Sequence, residues 1–500
     1  MNSDSSFALL SGKPVHPWLR QLQVAYVPGS GDELSIAAVE GMLNEFQAQG
    51  HKLQSKPDRN TSLLLTTVPF GKVVNWRRCL TVTARVKYRL TQNPTIITVI
   101  HATEDQFSTL LAQLDEAIAK QPVDPADFQF PGLASTAWQV LLEQGQRGGP
   151  ILALERVVQA QAKGIRVILV VGDERPRTAY HFDLVGAHPQ SMADDPDRFY
   201  EDIVLRVVTS LSSLAINKHQ VVGEPLSQKT WLELDTPAAM IAASSELGKR
   251  NFFTDTVHIS DLVDVPAIGD TLASQYSEGC FATWDPRVNA LVATVTGSAR
   301  PVAKGGIGDD DLILIVGVRE DGQGALVRNV KGKRNDPPST EAVELYDLDN
   351  SLPRIALDES FVSEADVPVV RSKLHGHRGV ASFDPRVVEY VPVSPTYQNY
   401  LVTCGTDTQA WAVRDAFAES QALLNPDDPR DVVFTILPGH GVIFAEKWVP
   451  GFNPFERILD YMDGGQIAIE SLVPQGPVHY EADADGRMVL QDESLMVPVV

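Results

Sequence analysis

Cysteine is nearly absent. Three residues, Cys79, Cys280 and Cys404, stand far apart in a chain of 500. Such a sparse, odd set excludes a disulfide framework and a cysteine-rich zinc module. No histidine lies near any of them in sequence, so each is expected to be a small packing residue rather than a nucleophile. No uninterrupted apolar run of about 18 residues occurs, which excludes an expected membrane-spanning helix. The start, Met1 to Trp18, lacks both a charged n-region and a long apolar h-region, so no secretory signal is expected and the cytoplasm is the expected compartment. Basic residues are in deficit: 42 Lys and Arg face 64 Asp and Glu, a formal charge of −22. A field of that sign repels phosphate backbones, so neither nucleic acid nor an anionic membrane is an expected partner. GxSxG, the Walker lysine and a complete GxGxxG are all missing.

What is present is the composition of a packed globular chain, 43% hydrophobic and 21% charged. Gln23 to Val27, Ser62 to Val68 and Thr95 to Ile100 have strand character. Ile36, Val39, Leu43 and Phe46 follow helical spacing, as do Phe107, Leu110, Leu111, Leu114 and Ile118. Ser30 with Glu33 and Thr103 with Gln106 have capping-box spacing. Ile165 to Val171 is apolar except for Arg166, as for a strand buried on both faces. From about 255 to 360 short strands alternate with Gly, Asp, Asn and Pro. After 390 a strand–helix–strand rhythm returns. The expected fold class is therefore multidomain α/β. Residues 1–125 and 126–254 form two Rossmann-like α/β regions. Residues 255–390 form a strand-rich antiparallel sheet or barrel, and 391–500 a C-terminal α/β region. The segment from Ala282 to Val288 is echoed from Ala381 to Val387, which raises the possibility of a duplication around two Asp-Pro turns.

Three segments concentrate groups able to do chemistry. Gly172 to His188 follows an apolar strand, where open α/β sheets place ligands. Asp173, Glu174, His181 and Asp183 are its acid/base candidates, and Arg175 and Arg177 could hold an anion. His375 and His377 sit two apart around a glycine, on one face if the segment is a strand, with Lys373 beside them as a further anion contact. His440 lies between glycines, and Glu446 follows. Convergence of His375, His377, His440 and Glu446 would make a divalent-metal set for Mn, Zn or Mg. The loop from Val27 to Glu33 favours helix capping over phosphate binding, because Asp32 and Glu33 repel anions. Lys304 to Gly306, Asp309 to Asp311 and Lys331 to Pro338 are expected to be polar turns.

These residues point to a metabolic enzyme using divalent-metal-assisted acid/base chemistry, an isomerase, lyase or hydrolase. The expected substrate is a small polar or anionic metabolite, and a homo-oligomer is possible. The alternatives are a nucleotide- or cofactor-using transferase or oxidoreductase, and a non-catalytic ligand-binding or assembly protein.

Overall fold

The β-branched and leucine-rich runs before residue 192 assemble into one sheet in the computed structural model. That model describes residues 9–10, 13–14, 21–71, 95–119, 150, 165–173, 177–182, 187–191, 200–201, 203–204, 207–208, 211, 218–250, 252–253, 279–297, 303–320, 324–357, 366–376, 379–394, 407–425, 427–437, 441–463, 468–470, 480–482, 484 and 488–490. The chain is mixed α/β and divides into two units. One lies within Met1–Ser212 and the other is formed by Ser213–Asp255 with Gln275–Met496.

In the first unit β1 (Gln23–Tyr26) leads into α1 (Glu33–Ala48) and β2 (Lys52–Gln54). Next come β3 (Leu63–Thr67), β4 (Thr95–Ala102), α2 (Glu104–Ala119), β5 (Ile165–Val171), β6 (Thr178–Phe182) and β7 (Ala187–Ser191). The sheet order is β2-β1-β3-β4-β5-β6-β7. The first five strands are parallel, and β6 and β7 are antiparallel. Parallel strands in the middle of a sheet must bury both faces. Every residue of β3 and β4 is buried accordingly. Ala38, Val39, Met42 and Phe46 of α1 join Leu63, Leu65, Ile97, Val99, Ile168 and Val170 in one core. On the alternate residues, Phe107 of α2 packs 5.2 Å, ring to ring, from Tyr180. The Thr103–Gln106 capping box forms as expected, at 3.1 and 2.9 Å. Helix α1 starts differently: its cap is Asp32, and Ser30 instead ties its amide to Thr67.

Because β5 pairs along its whole length with β4, residues 1–125 and 126–254 do not own separate sheets. The long separation between Ala102 and Ile165 hid that pairing from a reading by local pattern.

The second unit is built on a nine-stranded sheet. Its elements are β8 (Gln220–Val221), α3 (Gln228–Leu232), α4 (Thr236–Lys249), β9 (Cys280–Asp285), β10 (Ala290–Thr294), β11 (Leu312–Val318), β12 (Ala325–Arg328) and α5 (Ala342–Ser351). They continue as β13 (Val370–Gly376), β14 (Gly379–Phe383), β15 (Val388–Tyr390), α6 (Asp407–Phe417), α7 (Gln421–Leu424), β16 (Val432–Leu437), β17 (Gly441–Lys447) and α8 (Glu456–Asp463). The order is β8-β12-β11-β10-β9-β13-β17-β16-β15. Only the outermost pairs, β8 with β12 and β15 with β16, are parallel. The strand-rich region and the C-terminal region thus share one sheet through the β13–β17 ladder. The three residues between β16 and β17 allow an antiparallel return and no crossover.

Register fixes the two faces. Phe281 opposes Leu374, and Cys280 opposes His375. Phe281 packs on Phe253 after α4 and on Phe455 before α8. The alternate residues face α5 and α6. A smaller sheet joins β14 to three short strands, β18 (Ala468–Glu470), β19 (Tyr480–Ala482) and β20 (Met488–Leu490). The sequence echo is real as a turn: Asp285 and Asp384 each accept the amide of the arginine two residues on, at 2.9 Å. It is not a repeated hairpin, since β9 pairs with β10 whereas β14 and β15 lie in different sheets.

Candidate functional site

The carboxyl ends of β1, β3, β4 and β5 form one edge of the first sheet. Chain connections diverge between β1 and β3, where β1 leads through α1 to β2 and β3 is followed by β4 on the other side. In open α/β sheets, ligands bind at such a divergence.

The β1–α1 loop is pressed against the end of β3. A Cβ on Gly29 would stand 1.8 Å from the Thr67 carbonyl oxygen, so only glycine fits. The Ser30 amide donates to that carbonyl at 3.1 Å, and the Gly31 amide to the Thr67 hydroxyl at 3.3 Å. Asp32 then caps α1, its Oδ1 accepting the Ser35 amide at 2.9 Å. Amides that might have cradled a phosphate are committed to Thr67 and to the chain's own carboxylate, so capping prevails here.

The second carboxylate oxygen of Asp32 lies 2.7 Å from Nδ1 of His101, the penultimate residue of β4. The other ring nitrogen, Nε2, is 3.1 Å from the carbonyl of Gly172 and 3.8 Å from a carboxylate oxygen of Asp173, both just beyond β5. Gly172 takes φ +109°, a backbone state that favours glycine. His101 is 5% exposed, while the side chains of Asp32 and Asp173 are 50% and 58% exposed. A buried imidazole thus sits under two half-exposed acids.

Both of its short contacts are to acceptors. A carbonyl accepts only, and so does an ionised carboxylate. A ring nitrogen can meet each acceptor only by donating, so the two contacts together call for an N–H on both nitrogens. Burial works to raise the Asp32 carboxyl, but the Ser35 amide and His101 outweigh it and hold the group below its ordinary value. The cluster sets one imidazole among two carboxyl groups and a carbonyl. It can hold a proton at a fixed place, and its outer face suits a neutral or cationic group.

Among the described candidates of the Gly172–His188 segment, Asp173 comes to this edge beside His101. Arg177 donates to the Asp173 carbonyl at 2.9 Å and so braces the turn. His181 lies on β6 in register with Ile168 and His188. Glu174, Arg175 and Asp183 are outside the described residues. In sequence Asp32 reads as an acid that repels anions at the helix start, and His101 is not singled out. The signal for His101 was its place between a β-branched run and a capping box, which puts it at a strand's carboxyl end.

In the second unit the expected metal set does not assemble as one site. His375 projects to the α5 face of the sheet, its Nδ1 3.1 Å from the Val442 carbonyl. Glu446 opposes Ser372, three residues away from His375, and so lies on the other face. There it accepts the Ser372 hydroxyl at 3.0 Å and the amides of Phe455, Arg457 and Ile458 at 2.9, 3.1 and 3.3 Å. It anchors the start of α8. Burial pushes its carboxyl up to about 7 against the pull of these donors. His377 and His440 fall outside the described residues. Among the described residues no group of three or more His, Cys, Asp or Glu is placed to hold a metal ion.

Lys373 is no surface anion contact. It is wholly buried and forms an ion pair with Asp349 of α5. The expected polar turns are structural ties. Lys304 is buried and donates to the Val295 carbonyl, and Asp309 accepts the Trp231 indole N–H at 2.7 Å. Cys280 is buried, as expected of a packing residue. Cys79 and Cys404 lie outside the described residues.

No protein-family model matches the chain, and no curated protein or solved structure is significantly similar to it. No helix among the described residues is long and apolar enough to cross a membrane.

Proposed function

We propose that the first unit is the catalytic part of a metabolic enzyme that moves a proton on a small polar metabolite, with His101 as the proton carrier. The observation that supports this most is the buried His101 ring held between Asp32 and Gly172–Asp173 at the carboxyl edge of the parallel strands. In this reading the imidazolium donates from Nε2 to a substrate oxygen that takes the place of the Gly172 carbonyl. Asp32 keeps the Nδ1 proton and steadies the charged ring. Asp173 faces the substrate and receives a hydroxyl or amine. Positioned general acid catalysis of this kind contributes on the order of 10² to 10⁴ in rate. Two acids at the rim disfavour an anionic substrate, which moves the expected substrate toward neutral or cationic compounds such as polyols and amines. The chemistry assigned to these residues needs no metal from them.

The test is a thermal-shift panel of polyols, amino alcohols, amines, hydroxy acids and sugar phosphates on wild type and on His101→Asn. A neutral or cationic compound should stabilise wild type and not the variant. A panel in which only phosphates act, or in which both proteins respond alike, rejects the assignment.

A second reading follows from the same geometry. Both ring nitrogens are engaged within the chain, so His101 would serve as a clamp joining β4 to α1 and to the turn after β5. Folding stability would then fall in His101→Asn while no compound distinguished the two proteins.

A further inference from the structure

Helix α5 brings three buried carboxyl groups onto the nine-stranded sheet: Glu341 at its N-cap, Glu344 in its first turn and Asp349 near its end. Two ammonium groups, Lys304 and Lys373, are buried as well. Lys373 pairs with Asp349. Lys304 donates to the Val295 carbonyl at 2.5 Å and acts, together with Glu341 and Glu344, on the thiol of Cys280 across the helix–sheet contact. Glu341 accepts the Ser339 hydroxyl at 2.6 Å. Neither carboxyl oxygen of Glu344 has a hydrogen-bond partner among the described residues.

Glu344 is thus buried beside Glu341, with no partner for either oxygen among the described residues. An unbalanced, unsolvated carboxylate inside a protein takes up a proton instead. Asp349 has its lysine and Glu341 its hydroxyl donor, which leaves Glu344. Burial and the neighbouring Glu341 both push its carboxyl well above the ordinary value.

Among the described residues Glu344 meets Glu341 from its own element and Cys280 from the sheet side. The strands β10 and β11 carry no ionisable side chain. From α6, Arg414 and Asp415 pair with each other at 2.8 Å, partly exposed. His375 also lies on this face, its Nδ1 3.1 Å from the Val442 carbonyl.

We propose that Glu344 is a buried neutral acid and that the seating of α5 on the sheet is a pH-sensitive latch, closed while Glu344 holds its proton and released when it ionises. The folded protein holds this proton more tightly than the unfolded chain. The stabilisation is therefore complete below the ordinary glutamate range and is lost as pH rises toward the folded value. The equilibrium for release shifts tenfold per pH unit across that window.

Cys280 reports the latch, since it is buried beneath α5. Its alkylation would be followed by peptide mass spectrometry in the full-length wild type and in Glu344→Gln, from about pH 6 to pH 9. The thiolate fraction cancels in the ratio of the two rates. That ratio should rise with pH, by up to about tenfold per unit until the folded value is passed, and a ratio independent of pH overturns the proposal. Difference infrared spectroscopy near neutral pH should show a protonated-carboxyl band that Glu344→Gln lacks; if the two spectra agree, Glu344 is ionised and the proposal fails. Should Glu344→Gln not fold, Glu344→Met serves as the second neutral variant in the same measurements.

Discussion

Replacing Asp32 by Asn separates the two jobs of that carboxylate. Asn keeps an oxygen for the Ser35 amide, so the cap survives. The NH₂ group now faces Nδ1 of His101 at the former 2.7 Å contact. A donor there forces Nδ1 to accept, so the ring becomes neutral with its proton on Nε2, facing Gly172. The energy at stake is moderate. Asp32 is half exposed, which discounts the pair to about 1 kcal/mol. Loss of a negative charge at the start of α1 adds roughly 0.3–1 kcal/mol. The variant should lose about 1–2 kcal/mol, and Asp32→Ala about 1 kcal/mol more, because the cap goes too. The pH dependence has a definite sign. The folded carboxyl lies below its ordinary value, so its contribution is present above the ordinary aspartate range and is lost as pH falls through the folded value. The Asn variant should lack that acid limb. Calorimetry gives the stability, and ¹⁵N spectra of the imidazole give the protonation. A loss above about 4 kcal/mol, or a ring that stays doubly protonated in the variant, would refute the reasoning.

Three further outcomes follow from the geometry. Glu446→Ala leaves the Arg457 and Ile458 amides at the start of α8 without an acceptor and opens a cavity, so the transition of the second unit should drop by about 3–5 kcal/mol in calorimetry; a loss under about 1 kcal/mol would show that Glu446 does not anchor α8. Lys373→Met strands Asp349 and should cost about 3–5 kcal/mol, whereas adding Asp349→Leu should restore most of it, a double-mutant comparison by chemical unfolding. Gly29→Ala drives a Cβ into the Thr67 carbonyl and should destabilise the first unit by more than about 2 kcal/mol; wild-type thermal unfolding would mean that the loop is not packed as described.

Local chemistry was legible where burial made it continuous. Ile165 to Val171 is apolar enough to declare a two-sided strand, and it spans those residues. Thr103 and Gln106 carried their own capping signal. Long-range pairing was not legible. Asp32 and His101 stand 69 residues apart, and nothing at either position names the other. Lys373 and His375 sit among polar neighbours, which suggested metal and anion contacts open to a ligand, although β13 is a buried central strand. The C-terminal strand–helix–strand rhythm is met by the parallel pair β15 and β16, with α6 between them in the chain, whereas the hairpin of β16 with β17 across the short connection after Leu437 was not announced by it. The set His375, His377, His440 and Glu446 was assembled from side-chain type alone. The pleat assigns His375 and Glu446 to opposite faces because their register positions differ by an odd number.

Charge links the composition to the proposed site. A chain with 22 surplus negative charges repels an anionic metabolite before contact and draws a cation toward any acidic rim. Asp32 and Asp173 form such a rim over His101, and the amides of Ser30 and Gly31, which would otherwise soften it for an anion, are bound to Thr67. Long-range field and local geometry therefore favour the same ligand class. Salt tells the two apart. Added salt screens the field over about 10 Å at 0.1 M and slows association of a cationic ligand. It leaves the 2.7 Å contact between Asp32 and His101 largely intact. Binding of a cationic hit should weaken with salt mainly through its on-rate, whereas a neutral polyol held by Asp173 and His101 should bind with little salt dependence. An anionic compound whose binding survives high salt and is lost in His101→Asn would reverse the assignment, because the imidazolium, rather than the acids above it, would then be the group that selects the ligand.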